Sequence, residues 1–222
     1  IQLKTLDDMV QEARNQATPA AAPPFPTVEP WPEPIDPALL LNEISSTVRR
    51  FIVLEPTQAD AIALWVAHTY LIAILEISPI LIVDAPERAC AKTLLQTLLA
   101  RLTYRSLPAS NASLSALFRS VELWRPTIFI DEADTFFGEN RELHGLVNAG
   151  YAKSGFILRS EAVGDSFEPR MFSVYCAKSI AGINLARHLP DATMSRGIVI
   201  NLRRKLAHES VERLRHADNE IF

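Results

Sequence analysis

From residue 80 onward the chain alternates short apolar runs with segments of helical periodicity. This alternation limits the fold more than any other feature. Residues 80–84 form one apolar run, followed by helix-patterned residues 92–103 and 113–123. A second apolar run, 127–130, precedes a helical segment at 140–153. Residues 156–160 and 170–175 read as two strands around a Gly164-Asp165 turn, and 179–183 and 197–202 as further strands. Runs that are apolar throughout suit strands buried on both faces, as in a parallel sheet. Strand–loop–helix order then sets helices against both faces of that sheet. The expected class is α/β.

The residues before 80 have a different character. Residues 4–15 show weak helical spacing, and 18–37 carry eight of the fifteen prolines. Proline fixes φ and removes a donor, so 18–37 reads as an extended linker, either a mobile spacer or a strap latched by Phe25 and Trp31. Asp36-Pro37 has the form of an N-cap followed by proline at the first helical position, opening a helix to about Arg50. Thr57-x-x-Asp60 reads as the start of a second helix, with Ile62, Trp65, Val66, Thr69 and Tyr70 along one side. His68 in that helix is read as a packing or surface residue. The longest apolar stretch, 61–83, is interrupted by His68, Glu76 and Pro79, and reads as a buried helix and strand, not a membrane span. The expected organisation is 1–35 as weak helix and linker, 36–78 as a helical N-terminal extension, 79–206 as the core, and 207–222 as the start of a C-terminal helix.

With a net charge of -4, the chain as a whole has no electrostatic footprint for nucleic acid. Its two cysteines, Cys90 and Cys176, form no disulfide or zinc spacing, which fits a reducing cytoplasm. No signal peptide is expected. The lack of an opening Met suggests a piece of a longer protein.

Two strand ends carry the chemistry. Residues 80–84 lead into Pro86-Glu87-Arg88-Ala89-Cys90-Ala91-Lys92-Thr93 and then an apolar helix. A phosphate-binding loop needs this order, because backbone N–H groups and a helix N-terminus cradle the anion. Lys92 stands where a lysine reaches the terminal phosphates, and Thr93 where a hydroxyl ligates magnesium. Pro86 and Ala91 occupy positions that usually hold glycine. Residues 127–130 end in Asp131-Glu132, the Walker B pattern, in which Asp131 supports Mg2+ and Glu132 activates water. The pair implies ATP and Mg2+ as ligands of a P-loop NTPase of the AAA+ (additional-strand) type, with the 156–175 hairpin as an insertion. The tetrapeptide Asp131-Glu132-Ala133-Asp134 also invites a DEAD-box helicase reading. Only 38 positions separate Thr93 from Asp131, too few for that family, and the Ser-Ala-Thr motif expected downstream is absent.

Further candidates are less specific. Asn184 stands where a polar sensor would position water, or is a turn residue. Arg196, in Ser195-Arg196-Gly197 before a strand, is placed as an arginine finger for a neighbouring subunit, or as a surface ion pair. The hairpin tip lacks Lys and Arg, leaving Arg159 and Arg170 beside it for phosphate contact. Arg203, Arg204, Lys205, Arg213 and Arg215 read as a solvated helix face, and Cys90 as packing.

In combination these strings resemble a bacterial and phage ATPase family joined to primase-like (Toprim) or helicase-associated domains on plasmids and mobile elements. The likeness rests on residues 61–70 (AIALWVAHTY), the loop from Pro86 to Thr93, Ser110-Asn111-x-Ser113, residues 124–135 (WRPTIFIDEADT), Leu146-x-Asn148-x-Gly150, residues 178–183 (KSIAGI) and Leu189-Pro190-Asp191. It spans nearly residues 36–215 and touches Thr5-Leu6-Asp7. The family loop has glycine at the positions of Ala89 and Ala91. Replicative helicases of the minichromosome-maintenance type also set alanine just before the lysine. The resemblance implies a replication-associated ATPase, a DNA helicase or its loader; the expected location is the cytoplasm, and the expected partners are ATP, further copies of the chain in a homo-oligomeric ring, and single- or double-stranded DNA. A degenerate module working by assembly or protein interaction is the alternative, with a non-replicative remodeller or switch a further one.

Overall fold

A computed structural model of the chain describes residues 23–109, 112–137, 141–164 and 166–214. The expected helix at 4–15, the first part of the linker, Ser110-Asn111, Asn140, Asp165, Arg215 and the chain end from 215 lie outside these residues.

Two helices precede the sheet. The α1 helix, Pro37–Phe51, is capped by the Asp36 carboxylate, which accepts from the Ala38 amide at 2.8 Å. The α2 helix, Pro56–Leu71, begins earlier than Thr57: Glu55 is its cap, in a reciprocal box with Gln58, and Pro56 occupies the first turn. Ile62, Trp65, Val66 and Thr69 are buried, whereas Tyr70 is half exposed. The sheet then alternates with helices as β1 (Ile80–Ala85), α3 (Lys92–Leu102), β2 (Ser106–Pro108), α4 (Leu114–Trp124), β3 (Thr127–Ile130), a short α5 (Ala133–Phe136) and α6 (Arg141–Ala149). The hairpin β4 (Phe156–Val163) and β5 (Ser166–Ser173) follows, then β6 (Lys178–Ile183), a 3-10 turn, a short α7 (Asp191–Met194) and β7 (Gly197–Asn201).

Five strands form one all-parallel sheet in the order β2-β3-β6-β1-β7. Alternate residues of β1 serve opposite faces, as strand geometry requires. Leu81, Val83 and Ala85 pack with α1, α2 and α3, and Ile80 and Ile82 pack with α4, α6 and the base of the hairpin. The protein is therefore an α/β layered structure, a five-stranded parallel sheet flanked by helices. Among the described residues no helix is long and apolar enough to cross a membrane.

The leader is latched by one of its two aromatics. Phe25 meets Trp124 edge-on with ring centroids 6.1 Å apart, but Trp31 is 71% exposed. The helix expected from residue 207 is not formed over 207–214. That segment folds back instead, with Arg50 bonded to Glu212 and Arg203 to Glu209.

Candidate functional site

All five strands run the same way, so the loops leaving β1, β6 and β3 emerge side by side at one end of the sheet. In open parallel sheets this end is where ligands bind. The order β1–β6–β3 sets residues 86–93 and Asp131-Glu132 two strands apart, with Asn184 at the end of the strand between them.

Contacts close this gap. Thr93 Oγ1 donates to Asp131 Oδ2 at 2.9 Å, joining the first residues of α3 to the end of β3. Asn184 Nδ2 donates to the Pro86 carbonyl at 3.3 Å, tying the end of β6 to the loop. Lys92 Nζ donates to the Glu87 carbonyl at 3.3 Å, folding over residues 86–91. Two carboxylates hold the surrounding backbone. Asp84 accepts from the Leu185 amide at 2.9 Å, and Asp134 from the Ile183 amide at 3.1 Å.

Among the described residues, four of the six non-glycine residues with left-handed backbone gather at this end, while Arg105 and Arg125 precede β2 and β3 at the other. Ala89 and Ala91 both have φ of 63°, Glu132 has 52° and Asn184 has 50°. Left-handed geometry costs a non-glycine residue roughly 1–2 kcal/mol, and only asparagine among these adopts it readily. Such residues persist where the surrounding structure holds them, and they cluster at functional sites. The apolar floor is firm. Cys90 is buried in the core, as its packing reading expects, while residues 86–89 are exposed.

The oxygen donors suit magnesium. Mg2+ takes oxygens at about 2.0–2.1 Å in octahedral geometry, which puts neighbouring ligands about 2.9 Å apart, and it commonly keeps one or two protein ligands beside phosphates and water. Thr93 Oγ1 and Asp131 Oδ2 have that separation. Among the described residues no group of three or more His, Cys, Asp or Glu side chains is arranged to hold a metal alone. The site thus fits a cation that arrives with its own ligands.

Arg196 is elsewhere. Its carbonyl accepts from the Ile80 amide at the start of β1, and its guanidinium lies 5.6 Å from the Tyr151 ring centroid. It stands at the opposite end of the sheet from Lys92, so it has no part in its own chain's site. The hairpin arginines are also engaged. Arg170 pairs with Glu161 at 2.7 Å, and Arg159 lies 3.4 Å from Glu142. The hairpin face that points away from the body is apolar, with Phe156, Leu158, Phe167 and Met171 exposed.

The basic cluster is a correction to the sequence reading. Residues 203–205 are not on a helix. Arg203 Nη1 donates to Glu209 at 2.8 Å, and Lys205 Nζ to the Glu209 carbonyl at 2.8 Å. Arg204 Nε sits 2.9 Å from Glu87 Oε1, on the loop itself. Sequence spacing gave no signal for this contact between residues 117 positions apart. Just beside it, Val53, Leu54, Glu55, Gln58, Asn201, Leu202 and Arg203 line an open cavity of about 320 Å3.

No family model matches the chain, and no curated protein sequence matches it.

Proposed function

We propose that this chain is a P-loop ATPase module of the AAA+ (additional-strand) kind that binds ATP with Mg2+ between residues 86–93 and Asp131-Glu132. The observation that carries the reading is the Thr93–Asp131 hydrogen bond. Thr93, on the helix that follows β1, and Asp131, just past the end of β3, meet across β6 where a nucleotide-bound cation needs a hydroxyl and a carboxylate together. In this reading the backbone N–H groups at the start of α3 and Lys92 Nζ hold the phosphates, exchanging Lys92's bond to the Glu87 carbonyl for the anion. Thr93 and Asp131 hold Mg2+, which neutralises charge building up on the phosphates. Glu132, exposed at the end of β3, takes the proton of the attacking water, and Asn184 orients that water. The cavity beside Gln58 and Asn201 receives the nucleoside end.

Arg196 serves a neighbouring subunit in a homo-oligomeric ring. Its distance from its own site supports a role in trans and none in cis. Service to DNA replication in the cytoplasm, as helicase or loader, follows from the family resemblance. The apolar outer face of the hairpin and the paired state of Arg159 and Arg170 do not favour phosphate contact there. A second reading, a module with weak or no turnover, is favoured by the methyl groups of Ala89 and Ala91, held where glycine is at ease. Calorimetric titration with Mg-ATP tests the site: binding by the parent chain that Lys92→Ala loses by at least about 100-fold is expected for a terminal-phosphate lysine. Equal affinity in both chains would sink it.

A further inference from the structure

Residues 86–89 are exposed in the loop between β1 and α3, and they carry a carboxylate, Glu87. A polyphosphate entering the loop meets that charge at close range, where like charges repel. The structure shows what offsets it. β7 is the edge strand beside β1, and the Leu202 amide donates to the Asp84 carbonyl at 2.8 Å. The chain leaving β7 therefore passes the rim of the loop, and Arg204 falls against it. Its Nε lies 2.9 Å from Glu87 Oε1, and its Nε and Nη2 reach the Arg88 carbonyl at 3.4 Å. Both side chains are more than half exposed.

We propose that Arg204 is a phosphate-binding residue held in reserve, with Glu87 as its resting counter-ion. The inference rests on the nucleotide site described above and adds a residue to it. An exposed ion pair of this kind is held weakly, so its guanidinium changes partners at little cost. A polyphosphate carries more charge than one carboxylate and matches the planar guanidinium with two oxygens at once. On binding, Arg204 leaves Glu87 for the phosphates, as Lys92 leaves the Glu87 carbonyl. Glu87 thus acts as an internal competitor that sets affinity. Arg203 does not share the role, because it is committed to Glu209.

The experiment is calorimetric titration of Mg-ATP and Mg-ADP into the parent chain, Lys92→Ala, Arg204→Gln, Arg204→Lys, Glu87→Gln and the Glu87→Gln/Arg204→Gln double variant, with melting temperatures recorded for each. Arg204→Gln is expected to weaken binding about ten-fold and Arg204→Lys by less, since lysine keeps the charge but not the fork. Glu87→Gln is expected to tighten binding about three-fold or more, an effect absent in the double variant. If the ion pair only braces the loop, Glu87→Gln weakens binding just as Arg204→Gln does, and that result overturns the proposal. Affinity of Arg204→Gln within about two-fold of the parent also overturns it. If Lys92→Ala still abolishes binding in that case, the nucleotide site stands without Arg204. Absence of binding by every chain, parent included, overturns both.

Discussion

The two ends of the parallel sheet are made by the same strands yet follow opposite rules. Where the strands begin, several polar groups are buried and answered, although the buried Ser179 hydroxyl has no partner among the described residues. Lys178 is fully buried and donates to the Gly150 and Cys176 carbonyls at 2.7 and 2.6 Å. Ser78 is fully buried: its amide donates to the Tyr151 carbonyl and its hydroxyl to that of Cys176. Thr193 donates to Asn148, so three of the strings that carry the family resemblance meet here, around α6, β6 and α7. Burial pushes the Lys178 ammonium below its ordinary range and the Cys176 thiol above its own. Where the strands finish, Glu87, Lys92, Thr93, Asp131 and Glu132 are exposed or half-buried, and four non-glycine residues are left-handed against two, Arg105 and Arg125, at the other end. A buried end whose polar groups are mostly answered stabilises a fold. A strained, open end is suited to take up a ligand.

The sharpest way to break this comparison is at the open end. Glu132→Gln is expected to lower ATP turnover by about 10²–10⁴-fold, the range for losing a positioned base. Nucleotide affinity and melting temperature should stay close to the parent's, since Glu132 is exposed and its left-handed backbone persists with Gln. Steady-state hydrolysis and calorimetry on the same preparation check both halves. Undiminished turnover removes Glu132 from the reaction.

The opposite result is expected at the buried end. Lys178→Met keeps the volume and removes the donor. The Cys176 carbonyl keeps Ser78 Oγ, but the Gly150 carbonyl loses the Lys178 donor. An unanswered buried carbonyl costs about 1–3 kcal/mol. Releasing a desolvated amine offsets part of this, so a loss of about 2 kcal/mol is expected in urea unfolding. Affinity for nucleotide should not change. A variant of full stability would show that the Gly150 carbonyl finds water or another donor, and that the two ends are less different than they look.

Which parts of this contrast were legible beforehand follows from what each part depends on. β1, β3 and β6 are rich in apolar residues because both faces are covered, so β3 could be read at its observed bounds and β1 and β6 to within one residue. β2 could not. Ser106–Pro108 is three residues long, and its strand character comes from pairing with β3. The α2 start shows a local choice between two boxes, Glu55-x-x-Gln58 and Thr57-x-x-Asp60. Pro56 decides it, because a residue with no donor and a preset φ belongs in the first turn. Lys92-Thr93 and Asp131-Glu132 were visible as polar residues closing apolar strands. The roles of Asp84 and Asp134 as backbone acceptors, and the Arg204–Glu87 pair, were not, because each depends on contacts between segments far apart in sequence. The hairpin strands reach further toward the tip than the alternation suggests, by three residues in β4 and four in β5, with Gly164 left-handed at the turn as its composition implies.

Strain at the open end is tested by removing it. Ala89→Gly and Ala91→Gly each relieve a left-handed alanine, worth roughly 1–2 kcal/mol, while glycine costs about 0.4–1 kcal/mol by loosening the unfolded chain. The relief is the larger quantity, so each variant should gain up to about 1 kcal/mol in urea unfolding. With a methyl removed from the loop, Mg-ATP affinity should rise in both variants. Lower stability would mean that the alanines lose no energy at these angles and that the open end stores no strain in this loop.

The smallest expected effect concerns the segment that folds back over the open end, and acid separates it from the rest. Arg203 and the Leu206 amide hold the Glu209 carboxyl down at about 2, and Arg50 holds Glu212 below the usual carboxylate range. Both folded values lie under the unfolded ones. Their contribution is therefore complete above the ordinary carboxylate pKa of about 4.3 and is lost as pH falls toward about 2. The Leu206 and Glu212 amides report on this segment directly, since they donate to Glu209 Oε2 and to the Arg50 carbonyl. Hydrogen exchange corrected for intrinsic rates should show them losing protection between pH 5 and pH 3, while the β6 amides keep theirs. Equal protection at both pH values would show that the apolar contact of Leu214 with the core holds the segment without its ion pairs. Loss at β6 over the same interval would instead mean that the two ends of the sheet unfold as one unit.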